Sequence, residues 1–103
     1  MKTSELTGAA LDWAVCVAVY GYGADYKKNR YSTDWAHGGP IIEREGINLF
    51  QRKGATAKEG KAWLAYDNKN PEMAGPTPLI AAMRCYVASK LGDTVEIPEE
   101  LTK

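Results

Sequence analysis

His37 is the only histidine of the chain and follows Asp34 by three residues. On a helix that spacing puts both side chains on one face. It is the beginning of a general-base pair or of a metal corner. Neither is completed: no nucleophile motif flanks His37, and the pair lacks a third ligand. The plainer reading is a turn histidine beside a capping carboxylate. Gly38-Gly39-Pro40 comes next. Exposed backbone N–H groups at a helix start can hold an anion. The Lys and Ser/Thr of a phosphate-binding loop are missing, however, and no apolar strand precedes the glycines. Gly75-Pro76-Thr77-Pro78 offers a second helix start, this one with a hydroxyl, and it equally suits a rigid helix entry.

Arg84 lies one helical turn after Ile80, inside an apolar stripe. A guanidinium there needs a partner, and Asp34 and Glu43 are the expected carboxylates. Tyr22, Tyr26 and Tyr31 alternate with Lys27, Lys28 and Arg30 in a basic–aromatic loop that suits an anionic or planar ligand. Trp13, Trp35 and Trp63 read more simply as core than as stacking platforms. The candidate ligand-binding surface therefore joins Tyr26, Arg30, Tyr31, Ser32, Thr33, Asp34, Trp35, His37, Gly38 and Gly39 to Thr77 and Arg84. No catalytic residue, metal set or cofactor is expected.

These residues need elements to hold them. The 103 residues suit one domain spanning 1–103, with an ordinary apolar share of 45%. Thirteen basic and thirteen acidic residues cancel, which argues against duplex DNA binding. The apolar run from Ala9 to Val19 is broken by Asp12 and is shorter than the about 20 residues a membrane span needs. No membrane association is expected. Cys16 and Cys85 sit in apolar helical patterns and read as buried thiols in a reducing cytoplasm.

Thr7 caps a first helix that Gly21 and Gly23 end. That helix is apolar nearly all round, so it is expected to be central or covered by a partner. Ser32 or Thr33 caps a short turn over 33–37. A break at Gly38-Gly39 and a fresh helix from Pro40 to about Glu45 should follow. Residues 47–53 and 61–67 read as two strands of an antiparallel hairpin around a polar turn at 54–60. Residues 68–75 read as a loop. Thr77 caps a last main helix with Pro78 in its first position and Gly92 as its stop. Residues 94–97 suggest a short strand, and the tail from Glu99 should fray. The expected fold is α+β: a small antiparallel sheet, hairpin plus C-terminal strand, packed with two main helices and a short broken helix.

Three blocks carry a family resemblance: residues 3–12 (Thr-Ser-Glu-Leu-Thr-Gly-Ala-Ala-Leu-Asp), 31–47 (Tyr-Ser-Thr-Asp-Trp-Ala-His-Gly-Gly-Pro-Ile-Ile-Glu-Arg-Glu-Gly-Ile) and 75–93. Together they resemble the NinX family, small proteins from the nin region of lambdoid phages and prophages. They also resemble the broader phage α/β/α-sandwich domain. Ala10 stands where that family pattern leads one to expect Glu, which touches only the helix cap. The resemblance implies a phage or prophage origin, a host bacterial cytoplasm setting and an accessory role. It carries over no activity and no site residues. Two functions are then expected. The first is a non-enzymatic protein binding a nucleotide-like small molecule. The second is a protein–protein module, acting on a host enzyme or a phage recombination factor, in which the apolar first helix is covered by a partner or a second copy.

Overall fold

The computed structural model describes residues 1–23, 25–52, 62–69 and 72–101. Three helices and three strands are described: α1 over Gly8–Tyr20, α2 over Trp35–Glu45, β1 over Asn48–Gln51, β2 over Trp63–Tyr66, β3 over Met73–Gly75 and α3 over Pro78–Leu91. The sheet is antiparallel, in the order β1-β2-β3. The fold is α+β, as the sequence suggested. The turn expected at 54–60 lies outside the described residues.

The central helix is α3, and its local chemistry explains why it starts where it does. The Thr77 hydroxyl oxygen accepts the Ile80 N–H at 3.1 Å, and Pro78 fills a position where no N–H is needed. Every residue from Ala81 to Val87 is buried. Small residues at Ala81, Ala82 and Cys85 let α1, α2 and the sheet pack closely around it. The first helix is thus not the central one: α1 buries Leu11, Ala14, Val15 and Cys16 but leaves Tyr20 66% exposed. Cys16 and Cys85 are buried free thiols, and burial pushes the Cys85 thiol up to about 11.

The strand register sorts the sheet into two faces. Leu49, Ala65 and Met73 pair across the strands and pack into the core with α3. Phe50, Leu64 and Ala74 pair on the opposite face. There the Phe50 and Tyr66 rings meet edge-on at 6.1 Å, and Arg52 reaches Glu72 at 4.0 Å. β3 occupies part of the segment expected to be a loop. Its last residue, Gly75, lies so close to α3 that a Cβ would sit 2.7 Å from the Ala81 nitrogen.

The expected C-terminal strand is not formed. Residue 94 makes one isolated bridge with Lys2, and the Val95 N–H donates to the Met1 carbonyl. Pro98 follows too soon for a longer ladder, because it has no N–H to contribute. Residues 99–101 are also better held than expected. Glu99–Leu101 forms one 3-10 turn, and Leu101 packs against the core.

The largest departure concerns residues 33–45. The expected break at Gly38-Gly39-Pro40 is absent, and one helix runs through Pro40. Asp34 is its N-cap rather than a first-turn residue: its side chain accepts the Ala36 N–H at 2.9 Å, and its carbonyl accepts from His37 and Gly38. Pro40 removes the N–H that would have met the Ala36 carbonyl. Tertiary packing outweighs that loss, since Gly38 is buried against Leu79 and Ile41 is buried in the core. Pro40→Ala restores the missing bond. It should raise unfolding free energy by about 2 kcal/mol in a urea titration. A helix truly broken at residue 40 would leave the midpoint unchanged.

Candidate ligand-binding cleft

The loop entering α2 and the first turn of α3 face each other across an open cleft of about 230 Å³. Ser32, Thr33 and Trp35 form one wall; Thr77, Pro78, Leu79 and Ile80 form the other.

A chain of hydrogen bonds sets the first wall. The Ser32 N–H donates to the Asp12 carboxylate on α1 at 2.8 Å. The Thr33 and Asp34 N–H groups both donate to the Arg30 carbonyl, at 3.2 and 2.8 Å. The Arg30 N–H donates to His37 Nδ1 at 2.9 Å. A ring nitrogen that accepts an N–H carries no proton of its own. The 3.8 Å approach of His37 Nδ1 to Asp34 is therefore not an ion pair in this arrangement. His37 braces the turn, and Asp34 caps α2. Tyr31 is buried, its ring edge-on to His37 at 6.3 Å. Burial, then Tyr20 and Cys16, push its phenol up to about 12.

Ser32 is the anomaly of this wall. It is 2% exposed, and its hydroxyl has no hydrogen-bond partner. Most buried hydroxyls in folded proteins are paired, because an orphan costs about 1–3 kcal/mol. Across the cleft, the Thr77 oxygen is used in capping, but its proton is free to donate. The first turn of α3 adds the positive end of a 14-residue helix. Trp35 stands at the rim, 52% exposed. One opening thus combines an aromatic face, hydroxyl donors and a helix N-terminus.

The cleft gathers Ser32, Thr33, Trp35 and Thr77 from the sequence-derived set. Gly38 and Leu79 tie its two walls together, since a Cβ on Gly38 would lie 2.5 Å from the Leu79 side chain. Gly39 is partly exposed on α2. Tyr26 packs partly buried against the core, in a 3-10 turn with Lys27 over its ring at 6.0 Å. Arg30 is exposed, and only its backbone serves the site.

Arg84 does not join the cleft, and no carboxylate pairs with it as expected. Its guanidinium donates to two carbonyls: Leu6 at 2.8 Å through Nε and Ala74 at 2.7 Å through Nη1. Asp34 is committed to its cap, and Glu43 is exposed. Burial lowers the Arg84 pKa, with Glu5 opposing.

Sequence reasoning missed Asp12 as the anchor of Ser32, although a lone carboxylate in an apolar helix is a readable signal. It also missed Pro78, Leu79 and Ile80 as lining residues, because apolar positions at helical spacing look like core. A larger opening, about 390 Å³, lies between the ends of α2 and α3 and the loop after β2. There Lys90 already meets Glu45 at 3.6 Å, so part of its charge is matched within the chain. Among the described residues no group of three His, Cys, Asp or Glu side chains could hold a metal ion.

The architecture defines a small α+β domain built around a buried helix, with an open cleft at that helix's entry. The chain belongs to the family described as Bacteriophage P22, NinX, whose profile matches residues 2–90. No curated protein matches it. Among the described residues no helix is long and apolar enough to cross a membrane.

Proposed function

We propose that this phage protein serves an accessory role by binding a small nucleotide-like ligand of the host cytoplasm, without catalysis, in the cleft between residues 32–35 and 77–80. The observation that carries the reading is Ser32: it lines the cleft opposite the start of α3, and its hydroxyl is buried and unpartnered. A ligand oxygen accepting from Ser32 and Thr77 would remove the orphan. The positive end of α3 favours an anionic group there. The half-exposed Trp35 ring supplies a stacking face for a planar base. Binding is favoured over catalysis because His37 Nδ1 and the Asp34 carboxylate are both committed to backbone N–H groups.

Isothermal titration against a panel of linear and cyclic nucleotides tests the proposal. At least one member should bind and change Trp35 fluorescence. A panel with no binder rejects it.

A further inference from the structure

A second surface stands apart from the cleft, at the C-terminal end of α1. Tyr20 and Tyr22 are 66% and 78% exposed, the largest exposures among the big apolar and aromatic side chains of the described residues. Gly21 and Gly23, with φ of +91° and +92°, turn the chain back so that the Tyr22 ring meets Trp13 edge-on at 6.0 Å. Trp13 and Tyr20 fall two helical turns apart on the same side of α1. The 3-10 turn carrying Lys27 and Lys28 packs against α1. Lys27, Lys28 and Arg30 are all exposed. Asp25 is the acid between Tyr20 and Tyr31, and its carboxylate is held by the Lys27 N–H at 3.0 Å. In a chain of zero net charge, the stretch from Tyr20 to Tyr31 therefore carries three exposed cations and one acid together with two exposed aromatic rings.

We infer that this face binds single-stranded nucleic acid. Exposed rings give unpaired bases a flat partner, and the neighbouring ammonium and guanidinium groups meet phosphates. Duplex is disfavoured because its bases are already stacked and three cations are too few to hold it without them. The inference is independent of the cleft: Tyr20, Tyr22, Lys27 and Lys28 do not line it.

Fluorescence anisotropy with the full chain and a labelled oligothymidylate of roughly 12 nucleotides tests it. Binding should appear at low salt and weaken as salt rises, with a log–log slope of about −2 for three cations on a single strand. Tyr20→Ala with Tyr22→Ala should weaken binding roughly tenfold or more at constant salt. Lys27→Glu with Lys28→Glu should flatten the slope. Phe50→Ala, which removes an exposed ring on the sheet, should leave all of this unchanged. No binding at low salt overturns the inference, as does equal affinity for a duplex of the same length or an unchanged Tyr20/Tyr22 double variant. Light scattering that shows a dimer dissolved by Tyr22→Ala also overturns it, because the face would then be covered by a second copy.

Discussion

Arg84→Ala should lower unfolding free energy by about 3–5 kcal/mol, the largest single-residue loss expected in this chain. Arg84 is 7% exposed, and its guanidinium bonds the Leu6 and Ala74 carbonyls from the middle of α3. It thereby ties the segment before α1 to β3 through the central helix. Its removal deprives the buried Leu6 carbonyl and the partly buried Ala74 carbonyl of this partner and leaves a cavity; a fully buried orphan alone costs about 1–3 kcal/mol. Small domains hold about 5–15 kcal/mol in total, so the variant loses a large fraction of its stability. Arg84→Lys should recover only part of the loss, because an ammonium is not a planar fork that can serve two carbonyls in fixed directions. Urea titration monitored by circular dichroism measures both variants. An Arg84→Ala midpoint within experimental error of the native one would show that the guanidinium does not hold these elements together.

Two adjacent glycines should respond very differently to the same substitution. A Cβ at Gly38 would lie 2.5 Å from Leu79 Cδ1 and 2.6 Å from the Tyr31 carbonyl oxygen. The Leu79 methyl can shift, but the Tyr31 carbonyl belongs to the turn that carries Ser32. Gly38→Ala must therefore push α2 off α3, at about 1–3 kcal/mol. It should also pull the two walls of the cleft apart. At Gly39 an added Cβ meets Trp35 Cε3 at 3.9 Å, ordinary contact, apart from its own chain neighbours. The gain in helix propensity from Gly39→Ala is offset by the Pro40 ring, which disfavours helical backbone in a preceding residue that carries a Cβ, so the net change should stay within about 1 kcal/mol. Thermal unfolding of the two variants separates the positions: a clearly lower melting temperature for Gly38→Ala and one near the native value for Gly39→Ala. Equal losses at the two positions would contradict the packing of α2 on α3 at Gly38.

The elements that declare themselves locally were legible in the sequence. Thr77-Pro78 at one end and Gly92 at the other bound α3 without help from the rest of the fold. Alternation over residues 47–53 and 61–67 gave the strands of the β1–β2 pair. Elements decided by distant contacts were not legible. Met73-Ala74-Gly75 is too short to show a period, and it becomes a strand because β2 offers it a ladder. Pro40 reads as a break, but Gly38 against Leu79 holds one helix through it. The partners of Arg84 were unreadable for a different reason: every residue carries a carbonyl, so only the fold can say which two it meets.

The candidate site divides in the same way. Thr77 was visible as a hydroxyl at a helix start, whereas Trp35 read as core and is instead 52% exposed at the cleft. Ser32 looked like one of two alternative caps. Its real distinction is a buried hydroxyl left unpaired while Asp34 takes the cap, and that is a property of the packed structure.

That hydroxyl also separates a ligand site from a packing accident. In the protein without ligand, Ser32→Ala removes an unsatisfied buried group and should leave stability equal or raise it by about 1 kcal/mol. In the ligand-binding protein the same change should weaken affinity at least tenfold, or about 1.4 kcal/mol. The decisive measurement is a calorimetric titration of the nucleotide panel into native protein and Ser32→Ala, with melting temperatures taken on the same samples. The native protein should bind at least one member, with an affinity that falls in a variant that melts no lower. A native protein that binds none of the panel, or a variant that binds as tightly as the native chain, would contradict it.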